Sequence, residues 1–91
     1  MRFAALLLVA CACRQAEVPP PGGEILRRAR ALSAQMCACR DRTCGAPVRV
    51  RWDALTREIS GVTFTADQVE GLTTEDHRFS ACMGALPEAT P

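Results

Sequence analysis

Apolar residues recur with helical spacing along most of the chain. Two stripes have successive spacings of four, three and four residues, and a third follows near the C-terminal end. Such spacing places apolar side chains on one face of an α-helix, which then packs against a core. The sequence therefore predicts a small all-α domain of three helices. The stripes are Ile25, Ala29, Leu32 and Met36; Val48, Trp52, Leu55 and Ile59; and Phe79, Cys82, Met83 and Leu86.

Proline, glycine and small polar residues predict where these helices begin and end. The first stripe starts behind Glu24, which marks the expected start of the first helix. Pro47 suits the first position of the second helix, because the missing N–H has no helical partner there. Gly61 is expected to close that helix. A cap at Thr73 or Thr74 would begin the third.

In the third helix, Glu75 and Asp76 would then lie in the first turn, and Pro87 would follow the end. The segment before it, residues 62–72, is ambiguous. Val62 to Thr65 alternate like a strand without a partner, and Thr65 to Gln68 equally fit the capping of one helical turn. We expect an ordered connection with Phe64 and Val69 under the core.

The N-terminal segment has the layout of a secretory signal. Arg2 precedes the apolar run Phe3–Val9, which is too short to span a bilayer as a helix, since that takes about 20 residues. The run ends in Leu8-Val9-Ala10-Cys11, which resembles the lipobox of bacterial lipoproteins. A buried core helix is the alternative interpretation, but Arg14 and the prolines and glycines of 19–23 end the apolar run at once.

The lipobox resemblance implies a diacylglyceryl group on Cys11 Sγ, cleavage after Ala10, and an acyl chain such as palmitate on the new amino group. Several acyl chains make a stable membrane anchor. Ala12 in place of Asp resembles the signal for the outer membrane. Cys13 is a second candidate, and the short leader leaves open a start codon further upstream.

These features divide the chain into four parts. The prolines at 19–21 favour an extended tether of about 3.1 Å per residue that holds the domain off the membrane. The expected parts are the signal peptide at 1–10, the lipidated cysteine and tether at 11–23, the helical domain at 24–86 and a tail at 87–91.

Charge is balanced overall but unevenly distributed. The net charge is +1, with eleven basic and ten acidic residues. Residues 11–57 hold nine arginines and four acids, whereas 58–91 hold one arginine and six acids. The two halves are expected to attract each other within the fold or across a dimer, or to be a solvated surface. This balance and the envelope location argue against nucleic acid as a partner.

Four cysteines, Cys37, Cys39, Cys44 and Cys82, should meet at one end of an up-down-up bundle. An exported domain of this size is expected to use them in two disulfides, with three possible pairings. Cys37 with Cys39 is disfavoured by strain. The first stripe continues from Met36 to Cys39, so we favour Cys39–Cys82 with Cys37–Cys44. Cys13 is left over, either free, lipidated in place of Cys11, or paired with another molecule.

Other chemistry has weaker support in the sequence. As thiolates, the four cysteines belong to the ligand class that copper and zinc bind, but their spacing fits no common metal motif. His77 would not join them, because it lies on another face of the helix from Cys82. Cys-x-x-Cys and Gly-x-Ser-x-Gly motifs are absent. Trp52 lies on an apolar stripe and is expected in the core. Arginines are expected on the solvated face of helix two: Arg49, Arg51 and Arg57.

The segment Met36-Cys37-Ala38-Cys39-Arg40-Asp41-Arg42-Thr43-Cys44, with Trp52 and Cys82-Met83 after it, carries a resemblance. It is similar to a group of small, functionally uncharacterised lipoproteins of Gram-negative bacteria with a Met-Cys-Ala-Cys-basic-Asp-x-x-Cys core. The similarity covers residues 36–52 and 79–84. Pro47 departs from it, because it implies a later helix start than Asp41 capping would give. The resemblance implies a location and an architecture but no activity.

The sequence thus predicts a lipid-anchored, disulfide-stapled helical domain that acts as a structural or protein-interaction module of the cell envelope. No catalytic residue, cofactor or metal site is predicted. The membrane, reached through Cys11, is the predicted partner, with an envelope protein as a further one. The alternative is a periplasmic thiol protein that binds copper or zinc or takes part in thiol–disulfide exchange.

Overall fold

Three α-helices form the domain in a computed structural model that describes residues 21–89. They are α1 (Pro21–Ala38), α2 (Arg42–Ile59) and α3 (Ala66–Gly84), and no strand occurs in the described part of the chain. Helix α1 packs against both of the others in an up-down-up arrangement. The predicted all-α, three-helix fold with two disulfides is confirmed.

Helix α1 begins at Pro21, three residues before the expected start at Glu24. Gly22 is buried at this end, and a Cβ there would lie 2.6 Å from Gln68 Oε1 and 3.0 Å from Phe64 Cδ1. A side chain at this position would displace the Gln68 amide, so glycine favours this close approach of the first turn of α1 to the start of α3. The end of the expected tether is therefore part of the helical domain.

Helix α2 begins at Arg42 rather than at Pro47, so the predicted start is wrong. Asp41 is the N-cap residue, and its Oδ1 accepts a hydrogen bond from the backbone N–H of Cys44 at 2.9 Å. This cap satisfies a backbone donor that has no helical partner. Pro47 lies inside the helix, which ends at Ile59 with Ser60 as the C-cap, directly before the predicted closing residue Gly61.

Helix α3 begins at Ala66, so the cap predicted at Thr73 or Thr74 is wrong. Thr65 and Gln68 form a capping box. The Thr65 N–H donates to Gln68 Oε1 at 2.9 Å, and the Gln68 N–H donates to Thr65 Oγ1 at 3.2 Å. This reciprocal pair starts the helix early and shortens the connection from α2. Phe64 is half-buried against the core as expected, whereas Val69 is exposed.

The apolar stripes of the sequence meet in the core. Its buried members come from all three helices and the segment after α3: Ile25, Ala29, Leu32, Met36, Val48, Leu55, Phe79 and Leu86. Close packing continues to the end of the bundle, where a Cβ on Gly45 would lie 2.7 Å from Leu86 Cδ1 and 3.1 Å from Met36 Sδ. The predicted stripes are confirmed as the faces that hold the helices together.

One polar pair crosses this core. Ser33 Oγ on α1 donates a 2.6 Å hydrogen bond to Glu75 Oε1 on α3, and both residues are buried. Arg78 also reaches this carboxylate oxygen, at 3.4 Å. The predicted position of Glu75 in the first turn of α3 is wrong, because the start at Ala66 places this residue in the helix interior. Buried polar groups need such partners, so the pair fixes α1 against α3.

An ion pair joins α1 to α2 on the surface. Arg28 donates two hydrogen bonds to the carboxylate of Glu58, at 3.0 and 2.8 Å. These bonds lower the pKa of Glu58 and raise the pKa of Arg28. Arg51 on α2 likewise donates to Gln35 on α1 at 3.2 Å. These contacts border a cavity of about 380 Å³ between α1 and α2, whose wall also includes Leu32, Ala54 and Leu55.

Candidate functional site

The four cysteines lie together at one end of the bundle, but the predicted pairing is wrong. The disulfides are Cys37–Cys82 and Cys39–Cys44, with Cα–Cα distances of 4.9 and 5.5 Å. Helix α1 ends at Ala38, so Cys39 does not continue the apolar stripe toward α3. Cys37, still within the last turn, instead reaches Cys82 on α3.

The second disulfide closes a short ring around the N-cap of α2. This ring spans residues 39–44 and includes Asp41, the cap residue. The chain after α3 also contacts this end, since the Arg42 N–H donates to the Pro87 carbonyl at 3.0 Å. The start of α2 is therefore held by a disulfide, a side-chain cap and the C-terminal segment.

An apolar cleft opens between α2 and α3 toward the opposite end of the bundle. Its volume is about 340 Å³, and Ala29 of α1 contributes to its wall. Thr56, Thr73 and Asp76 are the polar residues that line it. The large apolar side chains of the cleft are Trp52, Leu55, Ile59, Phe64, Val69 and Leu72.

Two aromatic rings stack where this cleft narrows. Trp52 on α2 and Phe79 on α3 have ring centroids 4.1 Å apart and an interplanar angle of 12°. Phe79 is buried, whereas Trp52 is half-buried, packing on the core with part of its surface in the cleft. The expectation of Trp52 as a core residue is confirmed only for the face that meets Phe79.

A second cavity of about 350 Å³ lies between the same two elements beyond the aromatic stack. Its apolar wall includes Met83 and Leu86, and Gly45 and Ala46 of α2 leave it open. Arg42 and Arg49 border it. This part of the interface therefore combines an apolar floor with two guanidinium groups.

The two cavities lie along the same α2–α3 interface, one on each side of the Trp52–Phe79 stack, and are together called here the α2–α3 groove. On α2, Arg42, Arg49 and Thr56 are seven residues apart. On α3, Val69, Asp76 and Met83 have the same spacing. Seven residues are almost two helical turns, so each set follows one helix face. The groove thus runs along both helices. Each of these two residue sets, called here the ridges of the groove, contributes residues to both cavities.

Charge is unequal along the α2–α3 groove. Arg42 pairs with Glu88 of the C-terminal segment at 3.2 Å, and both side chains are exposed. Arg49 is exposed and has no ion pair within residues 21–89. Asp76, the acidic residue of the groove, lies in the other half. The groove is therefore basic near the disulfides and bears the Asp76 carboxylate in its other half.

Several predicted functional residues lie apart from the groove or outside the described chain. Cys11 and Cys13 are outside residues 21–89. His77 and Arg57 are exposed on α3 and α2. No group of three or more metal-ligating side chains in the described range could hold a metal ion, and all four domain cysteines are disulfide-bonded. Within the same range, no helix is long and apolar enough to cross a membrane.

Comparisons of the chain with protein-family models, curated proteins and solved structures give no match.

Proposed function

We propose that this protein is a protein-interaction module of the bacterial cell envelope, anchored by lipid on Cys11, with the α2–α3 groove as its docking surface. The observation that carries the proposal is the apolar cleft between α2 and α3. Concave sites lined by apolar and aromatic side chains, with few polar groups, are typical of binding sites. The cleft has this character, with Trp52 and Phe64 among its side chains.

The exposure of Val69 supports the assignment of the groove as a protein-binding surface. Its side chain is 52% exposed at the edge of the cleft. Because about half of the residue is still exposed, burying the rest against a partner contributes about 1 kcal/mol. Trp52 adds a half-buried aromatic ring, a residue type enriched in interface hot spots. The groove thus offers a partner an apolar surface that the domain itself leaves open.

The lipobox supports the location. Leu8-Val9-Ala10-Cys11 follows an apolar run too short to span a bilayer. Two disulfides in a small domain are typical of exported proteins. Anchoring confines such a module to a membrane surface, where it meets envelope partners at raised effective concentration.

Site-specific cross-linking in membranes tests the proposal. A photoreactive amino acid replaces Val69 at the groove or, as a matched control, Val50, which is 68% exposed on α2 but does not line the groove. We expect the same discrete adduct in repeated preparations from Val69 and none from Val50. The adduct should be lost when Leu72→Asp places a charge in the cleft.

Cys11→Ser tests the anchor in the same cells. The variant should leave the membrane fraction, and the N-terminal peptide of the unmodified chain should carry the mass of acyl groups. Equal labelling from Val69 and Val50 would contradict the docking surface. An unacylated Cys11, with the protein still in the membrane fraction after Cys11→Ser, would contradict the anchor.

A further inference from the structure

We propose that the occupant of the α2–α3 groove is an amphipathic helix of another envelope protein, with acidic side chains at the end that meets Arg42 and Arg49. This inference rests on the proposed function and specifies the chemistry of the partner. It follows from the shape of the groove and from the charge along it.

The ridges of the groove are spaced to receive a helix. Arg42 to Thr56 on α2 and Val69 to Met83 on α3 each cover fifteen residues, about 21 Å of helix from the first to the last. A partner helix of about four turns has the same length. Helices bind such grooves through apolar residues at positions i, i+3 or i+4, and i+7. Leu72 and Val69 can receive the anchors in the first half, and Met83 and Leu86 in the second.

Charge in the groove gives the partner a direction. Arg42 and Arg49 border the half near the disulfides, and Asp76 lines the other half. A carboxylate of the chain itself already binds in the basic half, because Glu88 forms an ion pair with Arg42. Arg49 has no such partner within residues 21–89. Acidic side chains at one end of the bound helix would complete this pairing, and charge complementarity of this kind fixes the register of docking.

Within residues 21–89, a second copy of this chain offers no exposed apolar helix face that could enter the groove. The apolar stripes of α1, α2 and α3 are already buried, and the large exposed apolar residues in the described range are Val50 and Val69. Val50 lies between Arg49 and Arg51, so the surface around it would repel a basic groove.

Peptide binding to the purified chain carrying Cys11→Ser tests the inference. One probe is a synthetic helical peptide of fourteen residues with leucines at helical spacing and two glutamates at one end. It is made in two versions, with the glutamates in the first or the last turn. A matched pair replaces the glutamates by lysines, and another control scrambles the leucines. Calorimetry measures each dissociation constant at low and high salt.

Two pairs of variants separate the contributions. Arg49→Glu reverses a groove charge, and Arg57→Glu makes the same change on α2 outside the groove. Val69→Asp disrupts the apolar half, and Val50→Asp is its control. We expect one glutamate version to bind the parent chain. Arg49→Glu should weaken it about tenfold and strengthen the lysine version, whereas Arg57→Glu and Val50→Asp should leave both unchanged. Circular dichroism confirms that each variant is folded.

Each other outcome has a definite meaning. Loss of binding in Val69→Asp but not in Arg49→Glu would overturn the acidic partner and leave the docking groove intact. The inference would be overturned if neither Val69→Asp nor Arg49→Glu changed the binding of the peptide, or if neither glutamate version bound. Cross-linking from Val69 would still test the proposed function separately. Arg49-dependent binding of phosphatidylglycerol vesicles without peptide binding would identify a membrane surface instead. A dimer in sedimentation that Val69→Asp dissociates would identify a second copy.

Discussion

Trp52 stacks on Phe79 with ring centroids 4.1 Å apart, which joins α2 to α3 between the two halves of their shared groove. Helix α1 packs extensively against both other helices, so this stack is the central contact across the α2–α3 side. The same tryptophan therefore holds the domain together and lines the surface proposed for a partner.

Trp52→Ala should destabilise the domain by about 3 kcal/mol, because it removes both buried area and an aromatic pair. That is a large share of the stability expected for a small domain, about 5–15 kcal/mol. Urea unfolding followed by circular dichroism measures the change. Trp52→Phe is the control, since it keeps a ring over Phe79 and should retain most of the stability. An alanine variant as stable as the parent would mean that the stack contributes nothing.

Peptide mapping without reduction should show Cys37 joined to Cys82 and Cys39 to Cys44. Removing the first bridge as the Cys37→Ser, Cys82→Ser double variant should destabilise the domain by about 4 kcal/mol, and removing the second by about 2 kcal/mol. The difference arises because the bridges span 45 and 5 residues. Finding Cys39 linked to Cys82 would contradict the end of α1 at Ala38.

Ser33→Ala should destabilise the domain by about 1–3 kcal/mol, because the buried Glu75 carboxylate loses its closest donor. Ser80→Ala, an exposed position on α3, is the matched control and should have little effect. Chemical denaturation of both variants at neutral pH makes the comparison. If Ser33→Ala were as stable as the parent, the 2.6 Å hydrogen bond would contribute no more to stability than a hydrogen bond from water to the Glu75 carboxylate.

Acid should weaken the link between α1 and α2. Hydrogen bonds from Arg28 lower the pKa of Glu58 below its ordinary value of 4.5. The folded state therefore binds this proton less readily than the unfolded chain, and the stabilisation is present above 4.5 and lost as pH falls through the folded pKa. Melting temperatures between about pH 6 and pH 3 should fall less steeply for Glu58→Gln than for the parent. Identical slopes would mean that the pair does not contribute.

The sequence predicts the helices well and their ends poorly. Apolar spacing identifies which faces pack together, because burial of a stripe requires that periodicity. The ends depend on single hydrogen bonds, and two local caps at Asp41 and Thr65 start α2 and α3 earlier than Pro47 and Thr73 suggest. The capping box of Thr65 and Gln68 is visible in the sequence. Whether the helix that it starts continues to Gly84 depends on the packing of α3 against α1.

The disulfide pairing and the groove depend on those ends. One residue decides whether Cys39 belongs to the stripe of α1, and α1 ends just before it. The seven-residue spacing of Val69, Asp76 and Met83 describes one helix face only when α3 begins at Ala66. Periodicity alone does not separate side chains that fill the core from those that line a groove, as Trp52 does both.

Nuclear magnetic resonance of the isotope-labelled chain carrying Cys11→Ser, titrated with the glutamate peptide, tests the docking groove most directly. We predict that shifted signals cluster at Trp52, Val69, Leu72 and Met83, with Arg49 marking the acidic end of the peptide, while the side-chain methyl signals of Val50 stay unchanged. Shifts concentrated around Val50, or spread evenly over all three helices, would contradict the account.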